Sequence, residues 1–172
     1  VASETVVTGP AAFDQVLPQP KPRTPFFGLD SLSPAMKEQW EKFYIDVMVI
    51  AFPTPKGDAR IADIDGKALY YRAPYSSQPG VKPFLLPDTP AVPSEQCVAA
   101  NQVIDLTSRM QPDGRLQWDV PEGDWTVLRL GRTLTGQNTR PAPASGLGFE
   151  SDKFEKAAIE SHLDTFHGTL LK

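Results

Sequence analysis

Three ionisable residues close together, Glu150, Asp152 and Lys153, carry the chemistry most worth locating in this 172-residue chain. They follow a loop marked by Gly and Pro, in the run RPAPASGLGFESDK, and they precede a segment with helical periodicity. If Gly148 to Ser151 closes a strand, Glu150 and Asp152 point to the same side, because strand side chains repeat every two residues. Two carboxylates on one side suit a pair of sugar hydroxyls or a hard cation such as calcium. The residue types by themselves favour a plainer role. Asp152 is well placed as a helix N-cap, with Glu155 three residues on completing a capping-box-like pattern.

Other chemistry is sparse. The chain has no glycine-rich phosphate cradle and no G-x-S-x-G elbow. His162 and His167 stand five residues apart without the His-Glu-x-x-His pattern of zinc proteases, and such a pair is read as surface or packing. Cys97, the single cysteine, lies in a Pro-flanked segment with no base nearby in sequence and is read as a structural thiol. Asp63-Ile64-Asp65-Gly66 resembles the opening of a calcium loop but lacks the late Glu, so a turn between two strands is the better reading.

The elements that must hold these residues are mostly strands. Residues 1–8 read as a strand ended by Gly9-Pro10, and Pro18, Pro20, Pro22 and Pro25 mark a surface connector in which Phe26 and Phe27 are candidate anchors. Ser33-Pro34 opens a short helix near 34–43, with Met36, Trp40 and Phe43 at helical spacing. YIDVMVIAF reads as a central strand buried on both faces, with Asp46 its only polar residue. Ala68 to Tyr75 is a returning strand and residues 76–95 a long irregular loop. VIDLTS, RLQWDV and WTVLRLGR are then three strands, separated by turns at Pro112-Asp113-Gly114 and Pro121-Glu122-Gly123-Asp124. This places Trp118 and Trp125 across a hairpin, as core residues or as a platform for sugar rings. A C-terminal helix near 153–171 carries Ile159, Leu163, Phe166 and Leu170 on one face. The fold class is therefore mainly β, an antiparallel sandwich or meander with two helices.

Composition limits the partners. The net charge of −4 and the absence of a basic stripe with interleaved aromatics exclude a nucleic-acid surface. No apolar run approaches the roughly 18 residues of a membrane-spanning helix. The 18 prolines, about twice the usual share of roughly 5%, suit a β-rich or loop-rich chain. Val1 at the start and a helical pattern still running at Lys172 predict a piece of a longer polypeptide.

RPAPASGLGFESDK resembles the segment that leads into the catalytic domain of glycoside hydrolase family 106, the α-L-rhamnosidases. The preceding IDLTSRMQPDGRLQWDVPEGDWTVLRLGRTLTG is similar to that family's strand-turn-strand lead-in. SETVVTGP and YIDVMVIAFPTP also look like family segments, in the expected order. The resemblance covers most of the chain and is weakest from about residue 60 to 96. Gly148, Glu150, Asp152 and Lys153 match a Gly-Leu-Glu-x-Asp-Lys run of the family, with Phe149 in place of Leu. Arg140 stands where His is frequent.

The resemblance implies a large enzyme with a (β/α)8 barrel and β-sandwich parts. Such an enzyme removes terminal α-L-rhamnose from plant or algal polysaccharides or glycosides by inversion, in the periplasm or outside the cell. Residues 1–147 would form a β-rich region, and residues 148–172 a strand end and helix belonging to the barrel. Both catalytic glutamates would lie beyond Lys172, so the piece would contain no catalytic residue and be inactive alone. Glu150, Asp152 and Lys153 would bind substrate, with calcium as the implied cofactor and a rhamnose-containing glycan and the rest of the polypeptide as partners. The alternatives are a non-catalytic carbohydrate-binding module built on Trp118, Trp125 and Tyr75, and a structural β-sandwich with no ligand.

Overall fold

Strand β1, Ala2–Val16, runs on through Gly9-Pro10, where the sequence predicts its end. Its partner is β4, Arg115–Thr133, paired antiparallel from Ala2↔Leu130 to Gly9↔Gly123 and again from Ala11↔Val120 to Val16↔Arg115. Between the two stretches the register shifts by one residue. Pro10, which follows a cis peptide bond, and Pro121 both fall in that shift. A bulge needs no ladder donor there, so proline's missing N–H interrupts the strands without ending them. Gly9 permits the approach: a Cβ on it would overlap the Pro121 carbonyl oxygen.

The same pairing overturns the hairpin expected at Pro121–Asp124. Those residues lie inside one 19-residue strand, held by Gly9↔Gly123 and by the Thr8 hydroxyl donating to Asp124 Oδ1 at 2.7 Å. Turn propensity loses to a tertiary partner already in register. Trp118 and Trp125 consequently share one strand.

The structure, a computed structural model, describes residues 1–25, 28–57, 92–139, 142–143, 146–149, 151–153 and 155–171. The expected anchors Phe26 and Phe27, the Asp63–Gly66 turn, the strand from Ala68 to Tyr75 and most of the loop after it lie outside the described residues, as do Arg140 and Glu150. The described chain is mainly antiparallel sheet with two helices, as the sequence predicts, and the sheet has four strands in the order β1, β4, β2 (Tyr44–Pro53) and β3 (Ile104–Asp105).

Strand β2, Tyr44–Pro53, is central in that order but not buried throughout. Val49 and Ala51 are inaccessible, whereas Ile45, Val47 and Met48 are exposed. Strand β3 is only Ile104–Asp105, pairing with Ala51 and Ile50. The expected longer strand stops because the Asp105 carboxylate accepts the Thr107 N–H at 2.8 Å and turns the chain. The Thr107 hydroxyl then accepts the Val49 N–H at 3.1 Å. The turn at Pro112–Gly114 forms as predicted, with Gly114 at φ +84° and its N–H on the Gln111 carbonyl.

By internal contacts the chain divides into two units. The first, Val1–Lys21 with Ile45–Arg132, has a core of Phe13, Leu17, Val49, Leu106, Leu116 and Trp118, extended by Ala51, Val120 and Val127. Buried Arg129 crosses it, with Nε and Nη2 on the Asp46 carboxylate at 2.8 and 2.9 Å and Nη1 on the Leu17 carbonyl at 2.7 Å. Asp46, the polar exception in β2, is thus the counter-charge for Arg129.

The second unit is Pro22–Tyr44 with Thr133–Lys172. Helix α1, Pro34–Lys42, starts as predicted: Ser33 Oγ accepts the Met36 N–H at 3.3 Å and Pro34 opens the first turn. Leu32, Met36 and Trp40 bury against Leu29, Leu134 and Phe149. Helix α2 covers Lys156–Leu170, starting three residues later than expected.

Candidate functional site

The approach to α2 is built by backbone lacing. Asn138 and Phe149 form an antiparallel bridge, and the Thr139 N–H donates to the Gly148 carbonyl at 2.9 Å. The Thr139 hydroxyl reaches the carbonyls of Gly146 and Gly148 at 3.4 and 3.3 Å. This is a single bridge, not the longer strand end on which the parallel aim of Glu150 and Asp152 depends. Beyond it the Glu155 N–H donates to the Asp152 carbonyl at 3.2 Å, and the N-cap of α2 is Glu155, whose side chain makes no cap bond. Asp152 contributes its backbone to the turn before the helix. The N-cap role expected for its side chain is overturned.

These segments enclose a cavity of about 370 Å³. Thr139, Phe149, Ser151, Lys153, Ile159 and His162 line it, together with the backbone at Gly146 and Gly148. Lys153, singled out from the sequence, is therefore in the wall. Asp152 is adjacent in sequence but outside the lining, and Glu150 lies outside the described residues. Sequence reasoning missed His162. The usable signal is its spacing from Ile159: residues three apart on a helix share a face, and both line the cavity.

A larger cavity, about 560 Å³, lies over Gln39, Phe43, Leu134 and Phe149, with the Glu38–Lys42 ion pair (2.6 Å) at its side. Size alone would favour it. We place the candidate site in the smaller one, because it combines a cation, an imidazole and two hydroxyls with apolar walls, the mixture by which polar ligands are oriented.

The platform reading finds no support at Trp118 and Trp125. Trp118 is 5% exposed, and the two rings meet edge to face, 5.5 Å apart at 87°. Perpendicular rings cannot lie flat on one sugar, and the contact is core packing. Tyr75 lies outside the described residues. Among the described residues no group of three or more His, Cys, Asp or Glu side chains could hold a metal ion, so the described donors do not fit calcium by themselves. None of the described helices is long and apolar enough to cross a membrane.

Comparison with known proteins follows the same direction. The profile of glycoside hydrolase family 106, alpha-L-rhamnosidase, matches residues 1–172. A protein of Formosa agariphila named "Putative beta-glucuronidase" is 37% identical over 160 residues, which is 93% of this chain and 12% of that protein. The solved rhamnosidase from Novosphingobium sp. PP1Y superimposes with a TM-score of 0.59 at 20% identity, over 97% of this chain and 26% of that one. That likeness is one of fold. The chain spans about an eighth of the curated relative and about a quarter of the solved one.

Proposed function

We infer a function from the chain's family: it belongs to glycoside hydrolase family 106, the alpha-L-rhamnosidases. The proposal is that it forms part of an inverting α-L-rhamnosidase acting on plant or algal polysaccharides or rhamnosides. Its contribution is one wall of the sugar pocket. The observation that carries this reading is the cavity before α2, where Lys153 from the family-like run meets His162, Ser151 and Thr139.

Inversion requires a general acid and a general base far enough apart to admit a water molecule. The described lining of the cavity offers no carboxylate pair, which supports assigning both groups to other segments of the enzyme. Lys153 then donates a hydrogen bond to a sugar hydroxyl, and the proposal keeps Glu150 and Asp152, neither of them in the described lining, as hydrogen-bond acceptors for hydroxyls beside it. Calcium at this point would need ligands beyond the described residues, and no step is routed through it. In this proposal segment 148–172 belongs to the catalytic barrel. A polymeric glycan substrate also favours placing the enzyme in the periplasm or outside the cell.

The test is turnover of an aryl α-L-rhamnoside and an aryl β-D-glucuronide by the full-length protein and by the 172-residue chain. We expect the full-length protein to release the aryl group from the rhamnoside with inversion, and the chain by itself to release none. Activity of the isolated chain would overturn the assignment of the acid and base. Cleavage of the glucuronide alone would overturn the rhamnosidase reading. Retained rhamnoside turnover in the double variant Glu150→Gln, Asp152→Asn would remove the role given to those residues.

A further inference from the structure

We propose that the cavity of about 560 Å³ over α1 binds a planar aromatic group joined to the sugar, so that aromatic rhamnosides are the preferred substrate class. The inference rests on the reading of the segment before α2 as a wall of the sugar pocket and adds what lies beside that wall.

Phe149 joins the two places. It lines both the smaller cavity and the larger one. A group attached to a sugar in the first therefore reaches the second past a single side chain. The larger cavity suits an apolar occupant. Gln39 and Phe43 lie one helical turn apart, with the Phe43 N–H on the Gln39 carbonyl at 2.9 Å, and both line it. Leu134 and Phe149 complete the apolar wall. Both are also packed against buried Leu32, Met36 and Trp40, which fixes them before a ligand arrives. An aromatic ring gains offset or edge contacts with phenyl groups beyond the area it buries. Glu38 and Lys42 answer each other at 2.6 Å, so the hydroxyls of a second sugar gain less from them. The same pair argues against a permanent protein cover. The Lys42 and Glu38 side chains are 75% and 64% exposed, whereas Lys and Glu are depleted from the cores of protein interfaces. The volume falls within the range of ligand pockets, roughly 300 to 1,000 Å³.

The test is calorimetric binding of 2-naphthol, an aromatic probe with no sugar, to the full-length protein. We expect saturable binding that Phe43→Ala weakens about three- to tenfold, the worth of one aromatic contact, and that Phe43→Tyr retains. Phe43 is 37% exposed at the end of α1, so these variants should melt with the wild type. Should Phe43→Ala fail to fold, Gln39→Trp, at an exposed helical position, fills the cavity and must block the probe. Kinetics with 2-naphthyl and methyl α-L-rhamnoside test the link to the sugar. KM should be lower for the naphthyl substrate, and Phe43→Ala should narrow the ratio. Absence of 2-naphthol binding, binding indifferent to Phe43→Ala and Gln39→Trp, or equal KM values for the two rhamnosides would overturn the proposal. Phe43-dependent binding of the probe without turnover of either rhamnoside would sink the rhamnosidase reading and keep the aromatic site, so the two proposals fail separately.

Discussion

Arg129 is a buried cation whose fork is filled on both sides, by the Asp46 carboxylate and by the Leu17 carbonyl. Removing it leaves Asp46, only partly exposed, without its counter-charge and frees a buried carbonyl. For Arg129→Met we expect a loss of about 3 kcal/mol in urea unfolding, the lower end for breaking a buried pair because Asp46 is still wetted. Arg129→Lys keeps the charge but not the bidentate fork and should lie between. Asp14 is the exposed counterpart. Hydrogen bonds from Arg115 first and Gln117 second hold its carboxyl below the ordinary 3.8. A lowered folded value means that the stabilisation is present above the unfolded value and is lost as pH falls through the folded one. The effect is therefore confined to acid below about 3.8. Carboxyl NMR titration should show Asp14 with a depressed midpoint that rises in Arg115→Gln. An unchanged midpoint would show that Arg115 does not hold it. Neither pairing was legible in the sequence, because Asp46 and Arg129 lie 83 positions apart and Asp14 and Arg115 lie 101 apart.

The β1–β4 pair shows how an element can contradict its local signals. Gly9-Pro10 and Pro121-Glu122-Gly123-Asp124 each read as a stop, yet they face each other and become one bulge in a long ladder. Gly9→Ala should therefore cost about 1–3 kcal/mol in thermal or denaturant unfolding, because the new methyl meets a backbone carbonyl that cannot rotate away. A neutral substitution would mean that the bulge can relax. Helix α1 lies at the other extreme. Its cap, first-turn proline and buried Met36 and Trp40 are all local, and the sequence predicts them with the helix nearly residue for residue. Helix α2 is intermediate: its periodicity was visible, but its start was not. The turn at Asp152–Glu155 takes the residues that a capping pattern would have claimed.

At the scale of the whole molecule, α2 presents apolar side chains to solvent. Leu163 is 46% exposed and Leu170 71%. The relatives are far longer than this chain, and we read the exposed residues as covered by the larger protein. Burying a leucine side chain contributes about 1.5–3 kcal/mol. Leu163→Asp with Leu170→Asp should accordingly lower the melting temperature of the full-length protein by several degrees and leave the melt of the 172-residue chain nearly unchanged. Equal behaviour of the two would show that nothing covers the helix.

The mainly antiparallel class, the capped helix α1, the turn at Gly114 and the family were already determined by the sequence, because each rests on neighbours in the chain or on long ordered runs of residues. Tertiary structure alone decided that β1 and β4 continue through their glycines and prolines, that β2 is buried only near Val49 and Ala51, and that His162 joins Lys153 around one cavity. Those outcomes depend on which distant backbone or side chain arrives opposite. Local propensity, worth a few tenths to about 1 kcal/mol per residue, does not encode that.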